Sequence, residues 1–233
     1  MTYPIITTDE RRVPLVLEGD TDSICLTPLQ PLVDVGLGED PLARPLFPRP
    51  FLREGENDIT RIAPGRLRAD GEVIGVTGQI LDDEGRPLRH TLVEMWNANT
   101  HGRYTHVHCP ESTGPLDPNF HGCGRTLTDG EGRYQFITIK PGPYLAESEI
   151  DWWRPSHLHF SVFGGGTRLV TQMLFPDDAM IQKDLIWLHV LDEARRTRMI
   201  AETCENYTNE SDVRCFTFNI VVRGPLQSVM EDG

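Results

Sequence analysis

The chain has 233 residues, 38% hydrophobic and 24% charged, which is enough for one large β domain or two small ones with a sizeable core. Its formal charge of -13 argues against nucleic acid or an anionic membrane surface as partner, although a small anionic substrate, which responds to local charge, stays open. No basic segment followed by an apolar run stands at the N-terminus, and no apolar run approaches the roughly 18 residues of a membrane span, so a cytoplasmic protein without membrane attachment is expected.

Residues 1 to about 70 carry many prolines, among them Pro41, Pro45, Pro48 and Pro50, and little sustained periodicity. They read as an extended arm whose scattered apolar residues, such as Leu46 and Phe47, wrap the main body or a neighbouring subunit. From Glu72 the character changes. Residues 73–81 are strand-like, 82–87 form a turn, and 91–96 are strand-like again, the start of a hairpin or Greek key. A second hairpin is expected from 124–128, a turn at 129–132 and the alternating 134–139, which Lys140-Pro141-Gly142-Pro143 stops. Further strands follow at His157, at 168–175 and at 216–222, and one helix is expected from about Leu188 to Thr203. The fold class expected is therefore all-β: an antiparallel β-sandwich over residues 71–233 with an extended N-terminal arm over 1–70 and one short helix in the C-terminal half.

The five cysteines, Cys25, Cys109, Cys123, Cys204 and Cys215, are odd in number and show no C-x-x-C spacing, so reduced thiols are expected. Two N-x-[ST] matches, at Asn206 and Asn209, matter only in a secreted chain.

The chemistry begins at Arg154-Pro155-Ser156-His157-Leu158-His159. Successive side chains on a strand alternate between faces, so His157 and His159 share one side and form a ready pair of metal ligands. An isolated H-x-H is about as often a hydrogen-bonded pair as a metal site, so the rest of the chain decides. Tyr104 follows a strand and Tyr144 closes the loop before the histidines; loops on a rigid β framework are where functional side chains concentrate. Two phenolates with two imidazoles would favour a hard trivalent ion such as Fe(III) over Zn(II) or Cu(I). A cupin-like glutamate after H-x-H is missing, since Phe163 and Gly164 stand there, and a zinc hydrolase would need a third carboxylate or histidine ligand. His101, His106, His108 and His121 could form a separate zinc site, but their irregular spacing favours solvated polar residues.

Gly102-Arg103-Tyr104, Pro115-Leu116-Asp117-Pro118-Asn119-Phe120, Thr128-Asp129-Gly130, Lys140-Pro141-Gly142-Pro143-Tyr144 and Trp153 through Phe160 resemble, in order and approximate spacing, the intradiol ring-cleaving dioxygenases, in particular their protocatechuate-cleaving branch, from about Glu72 to Gly224. The resemblance implies non-haem Fe(III) on Tyr104, Tyr144, His157 and His159. It implies a catechol that binds the metal through both oxygens while the ligand matching Tyr144 leaves and accepts a proton, Arg154 facing negative charge that builds on the substrate, and Gln172 hydrogen-bonding nearby. O2 is the second substrate, a cis,cis-muconate the product, and a homologous α chain in a hetero-oligomer the expected partner. Trp96 and Ala146 are candidate substrate contacts, with Arg154. The branch carries Pro-Trp after the second tyrosine where this chain reads Leu145-Ala146, which should open the pocket on one side. Protocatechuate is the default substrate, and 4-sulfocatechol or another bulky 4-substituted catechol the alternative. The rival from another class is a transthyretin-like β-sandwich that binds a partner without catalysis, which has no need of all four ligand candidates.

Overall fold

The structure, a computed structural model, describes residues 52–230 apart from 54, 106–113, 165–166, 177 and 206–212. The expectations made for Cys25, Cys109, His106, His108, Asn206, Asn209 and most of the N-terminal arm lie outside the described residues.

Two sheets carry the fold. In the first, β1 (Val73–Leu81) sits centrally, antiparallel to β4 (Arg133–Ile139) and parallel to β10 (Arg214–Thr217) and β11 (Ile220–Val221), while β9 (Glu202–Cys204) pairs antiparallel with β10. The second has the order β3 (Cys123–Leu127), β2 (Leu92–Trp96), β7 (His157–Gly164), β8 (Thr167–Leu174), all antiparallel. A small ribbon, β5 (Tyr144–Glu147) with β6 (Trp152–Arg154), stands before β7. Period-two alternation explains the sandwich: Ile74, Val76 and Ile80 from β1, Phe136 from β4, Val93 and Met95 from β2, and Leu158, Phe160 and Val162 from β7 are all wholly buried and form one core. Phe136, Phe160, Tyr134 and Phe218 meet there ring to ring at centroid distances of 5.6–6.3 Å. With Leu158 and Phe160 turned inward, His157 and His159 face outward.

The all-β sandwich holds, and the structure corrects its details. The parallel pairing of β1 with β10 and β11 makes the first sheet mixed rather than purely antiparallel. The turn at 129–132 reverses the chain as expected, with the Asp129 carboxylate accepting from Glu131 N and Arg133 N, but it joins β3 to β4 across the two sheets instead of within a hairpin. Turn chemistry fixes a reversal and leaves open which strand becomes the hydrogen-bonded neighbour. The single helix expected over 188–203 is two helices, α1 (Leu185–His189) and α2 (Glu193–Thr197), each started by its own aspartate cap, Asp184 and Asp192. Val190 between them is extended, and residues 202–204 are strand β9.

The cysteines need a second correction. Cys204 and Cys215 are directly opposite in the β9–β10 pair, with Cα atoms 5.0 Å apart, and form a disulfide. Pairing across neighbouring strands 11 residues apart needs no C-x-x-C spacing, which is why the motif search missed it. Cys123 is a free, exposed thiol. Of the stretch read as an arm, Asp58 bridges to Ile137 of β4, and Ile59 and Ala69 are buried in the main core. No helix among the described residues is long and apolar enough to cross a membrane.

Candidate metal centre

The outward face of the second sheet is laid out by register. Cys123, Trp96, His159 and Gln172 are successive cross-strand partners on β3, β2, β7 and β8, so they form one row; Arg125, Glu94, Ser161 and Val170 form the next. His157 stands one position beyond the first row on the same face. Its ring Nδ1 lies 2.6 Å from the Pro155 carbonyl, to which it can only donate, and this leaves the Nε2 lone pair directed outward. Burial holds the His157 imidazole well below its ordinary pKa, with the nearby Arg154 guanidinium and His159 acting in the same direction, so the ring is a neutral donor.

Both tyrosines arrive on loops locked against each other. The Asn99 side chain accepts from His101 N and Arg103 N, and Gly102 N donates to the Asn99 carbonyl, closing a turn from which Tyr104 emerges. Gly142 N, in the loop before Tyr144, donates to that same Asn99 carbonyl. A Cβ at Gly102, where φ is 77°, would meet the Pro143 carbonyl, and one at Gly142 would meet the Thr100 carbonyl, so only glycines let these backbones approach. Ser156 closes the assembly from the histidine strand by donating to the Pro141 carbonyl at 2.7 Å.

Three donor atoms converge as a result. Tyr104 Oη lies 2.8 Å from His159 Nε2 and 3.3 Å from His157 Nε2, and the two nitrogens are 3.1 Å apart. The Tyr144 ring borders them, edge to face with Tyr104 and 5.6 Å from the His157 ring centre. Donors bonded to one ion at about 2.0–2.2 Å with angles between right and tetrahedral stand roughly 2.8–3.6 Å apart, so this triangle of 2.8, 3.1 and 3.3 Å fits a single metal ion. Among the described residues no three histidine, cysteine, aspartate or glutamate side chains group to hold a metal, and neither His101 nor His121 belongs to such a set. His121 turns instead to the Cys123 carbonyl. The donors that converge are two imidazoles and the Tyr104 phenol, with the Tyr144 ring beside them.

Around this group, Trp96 stacks parallel on His159, with ring centres 5.0 Å apart and planes 3° from parallel. A cavity of about 1070 Å³ opens beside Trp96, lined also by Ile59, Met95, Glu94, Cys123 and Arg125, with Tyr104, Tyr144, His157 and His159 outside its lining. Arg154, opposite Tyr144 in the β5–β6 ribbon, is buried and donates to the Gln172 Oε1 at 2.5 Å. Ala146 sits where the ribbon's register shifts between Leu145 and Glu147. A bulge there resets which way the residue faces, so simple alternation from Tyr144 does not apply to it.

The sequence reading missed Asp184, a fully buried carboxylate 3.1 Å from Arg154 Nε. Its place before Leu185-Ile186-Trp187 carried a helix-cap signal. Nothing local in the sequence tied it to an arginine 30 positions earlier.

Comparisons with known proteins show which family the chain belongs to. The profile of a family described as "Dioxygenase" matches residues 45–224. The chain is 46% identical over 178 residues to the protocatechuate 3,4-dioxygenase beta chain of Burkholderia cepacia, covering 76% of this chain and 75% of that protein. It is 27% identical over 168 residues to the alpha chain of the enzyme of that name from Pseudomonas putida, covering 70% and 78%. Among solved structures, 3-chlorocatechol 1,2-dioxygenase from Rhodococcus opacus 1CP superposes with a TM-score of 0.53 at 22% identity, over 71% of this chain and 64% of that one, a likeness of fold.

Proposed function

The chain belongs to the intradiol ring-cleaving dioxygenases and is an enzyme of that type, and from that premise we propose that it cleaves a 4-substituted catechol, protocatechuate by default, in the cytoplasm, using Fe(III) held by Tyr104, Tyr144, His157 and His159. The observation that carries the reading is the triangle of Tyr104 Oη, His157 Nε2 and His159 Nε2, with Tyr144 at its side. When bound, a ferric ion supplies a Lewis acid that favours the ionised catechol and an electron acceptor that opens it to O2. The residues do the rest. Tyr144 Oη takes a proton from the incoming catechol, which its place at the end of a loop allows. Arg154 keeps a permanent positive charge facing the negative charge that grows on the substrate, and Gln172 holds the guanidinium by accepting from it. Trp96 walls the substrate side and keeps the His159 ring in its plane. Retention of this whole set disfavours a carrier-type sandwich without catalysis.

A homologous α chain is part of the proposal, supported by relatives that bear the names of both chains. The test is to purify this chain alone and co-expressed with such a partner. The iron-loaded protein should be red-brown from tyrosinate-to-metal charge transfer and should consume one O2 per protocatechuate, giving 3-carboxy-cis,cis-muconate. A colourless protein with stoichiometric zinc overturns the iron reading.

Substrate choice turns on Ala146. If the methyl group borders the pocket, space on the order of a six-membered ring is left, and bulky catechols such as 4-sulfocatechol gain access. Ala146→Trp should then lower kcat/KM for bulky 4-substituted catechols about tenfold more than for protocatechuate. Equal losses across a substrate series would take Ala146 out of the pocket.

A further inference from the structure

We propose that Asp184 is the positioning residue for Arg154: its buried carboxylate fixes the guanidinium between the two strand pairs that carry the ligands. The inference rests on the reading of Arg154 as the group that faces the substrate's charge. Asp184 is wholly buried and Arg154 nearly so, with Nε and Oδ1 3.1 Å apart. The same Oδ1 accepts from Trp152 Nε1 at 3.2 Å and from Ile186 N at 3.3 Å, so the carboxylate is itself held by the ribbon and by the first turn of α1. Oδ2 has no hydrogen-bond partner among the described residues, and the Nε–Oδ1 contact is an ion pair rather than an aligned hydrogen bond. Trp152 closes one side of the guanidinium, whose carbon lies 5.8 Å from the ring centre, and Gln172 takes its other end.

Two ions this deep are costly to desolvate, and an apolar pair of the same volume would serve a purely structural purpose at least as well. What a carboxylate adds is a fixed counter-charge. It sits at ion-pair distance from Nε on one side while Gln172, the cross-strand partner of His159, accepts from the amino end, so the guanidinium is tied both to the Tyr144 ribbon and to the histidine row. A charged group held within a fraction of an ångström of its working position is worth far more in the transition state than one that swings.

Asp184→Asn keeps the shape and the acceptor for Trp152 and Ile186 and removes the counter-charge. It should bind iron with an unchanged visible band, bind an unreactive catechol analogue anaerobically within about threefold of the unmodified protein, and lose about 10- to 100-fold in kcat. In an Arg154→Ala background the same change should lower kcat no further, because it acts only through that arginine. Unchanged kcat in Asp184→Asn, or a further drop in the double variant, overturns the proposal. Should Asp184→Asn fail to fold, Trp152→Phe removes one of the donors that hold the carboxylate, keeps a ring beside Arg154, and should lower kcat a few-fold at unchanged KM; no change in kcat would be equally fatal. If the unmodified, iron-loaded protein cleaves no catechol, the proposed function has failed instead, and the two failures are told apart by that control.

Discussion

His157→Ala and His159→Ala should each yield a folded protein that has lost at least about 100-fold in iron affinity and, with it, its colour and turnover. The expectation separates the site from the core. Both rings leave the strand on the outward face, while the neighbours that build the sandwich, Leu158 and Phe160, point inward and are fully buried. Removing an imidazole therefore takes a donor from the triangle and leaves the packed interior in place. Iron per chain, measured beside the melting temperature, checks both halves. Full iron occupancy in either variant would show that the histidine is not a ligand.

Arg154→Ala should behave in the opposite way, keeping iron and colour while turnover falls by about two orders of magnitude. It should also cost roughly 3 kcal/mol of stability, because it strands the Asp184 carboxylate as a buried charge with no ion-pair partner. The sign is checked by adding Asp184→Asn to Arg154→Ala. Once the charge is gone the double variant should be the more stable of the two, read as a higher melting temperature, while its turnover stays where Arg154→Ala left it. An Arg154→Ala protein with normal turnover and a lowered melting temperature would make the arginine structural.

What could be read from the chain divides along a physical line. Strands were legible where a short-range period wrote them: the first strand was read as 73–81 and is Val73–Leu81, and the H-x-H face followed from alternation alone. Tyr104 and Tyr144 were singled out because each follows a strand or closes a loop, and the structure brings both to the histidines through a glycine contact that no local pattern announces. Pairing was not legible. The strands on either side of the 129–132 turn look like a hairpin because a good turn and two alternating runs are the same signal whichever sheet each run joins. The single helix from about Leu188 to Thr203 is over-read because Leu191, Ala194 and Met199 with Ala201 mix among charged residues, whereas Val190 is extended and Asp192 caps a second helix. Cys204 with Cys215 and Arg154 with Asp184 failed for one reason: both partnerships are made by neighbours in space that the sequence keeps apart.

The position of β1 bears on how the protein is made. Its residues 74–77 are flanked on one side by β4 and on the other by 214–217, and its Gln79 amide is taken by Asn219, 140 positions away. On a ribosome, β2, β3, β7 and β8 are all synthesised before β10, so the outward-facing histidine sheet can assemble while one edge of β1 still lacks its partner. That edge, carrying wholly buried Ile74 and Val76 in the finished fold, stays open until the last strands emerge, and unpaired apolar edges are where nascent chains aggregate. A chain grown to residue 200 thus already contains both histidines and both tyrosines but neither β10 nor β11, so one edge of β1 is sealed only by strands that follow all four ligand candidates in the sequence.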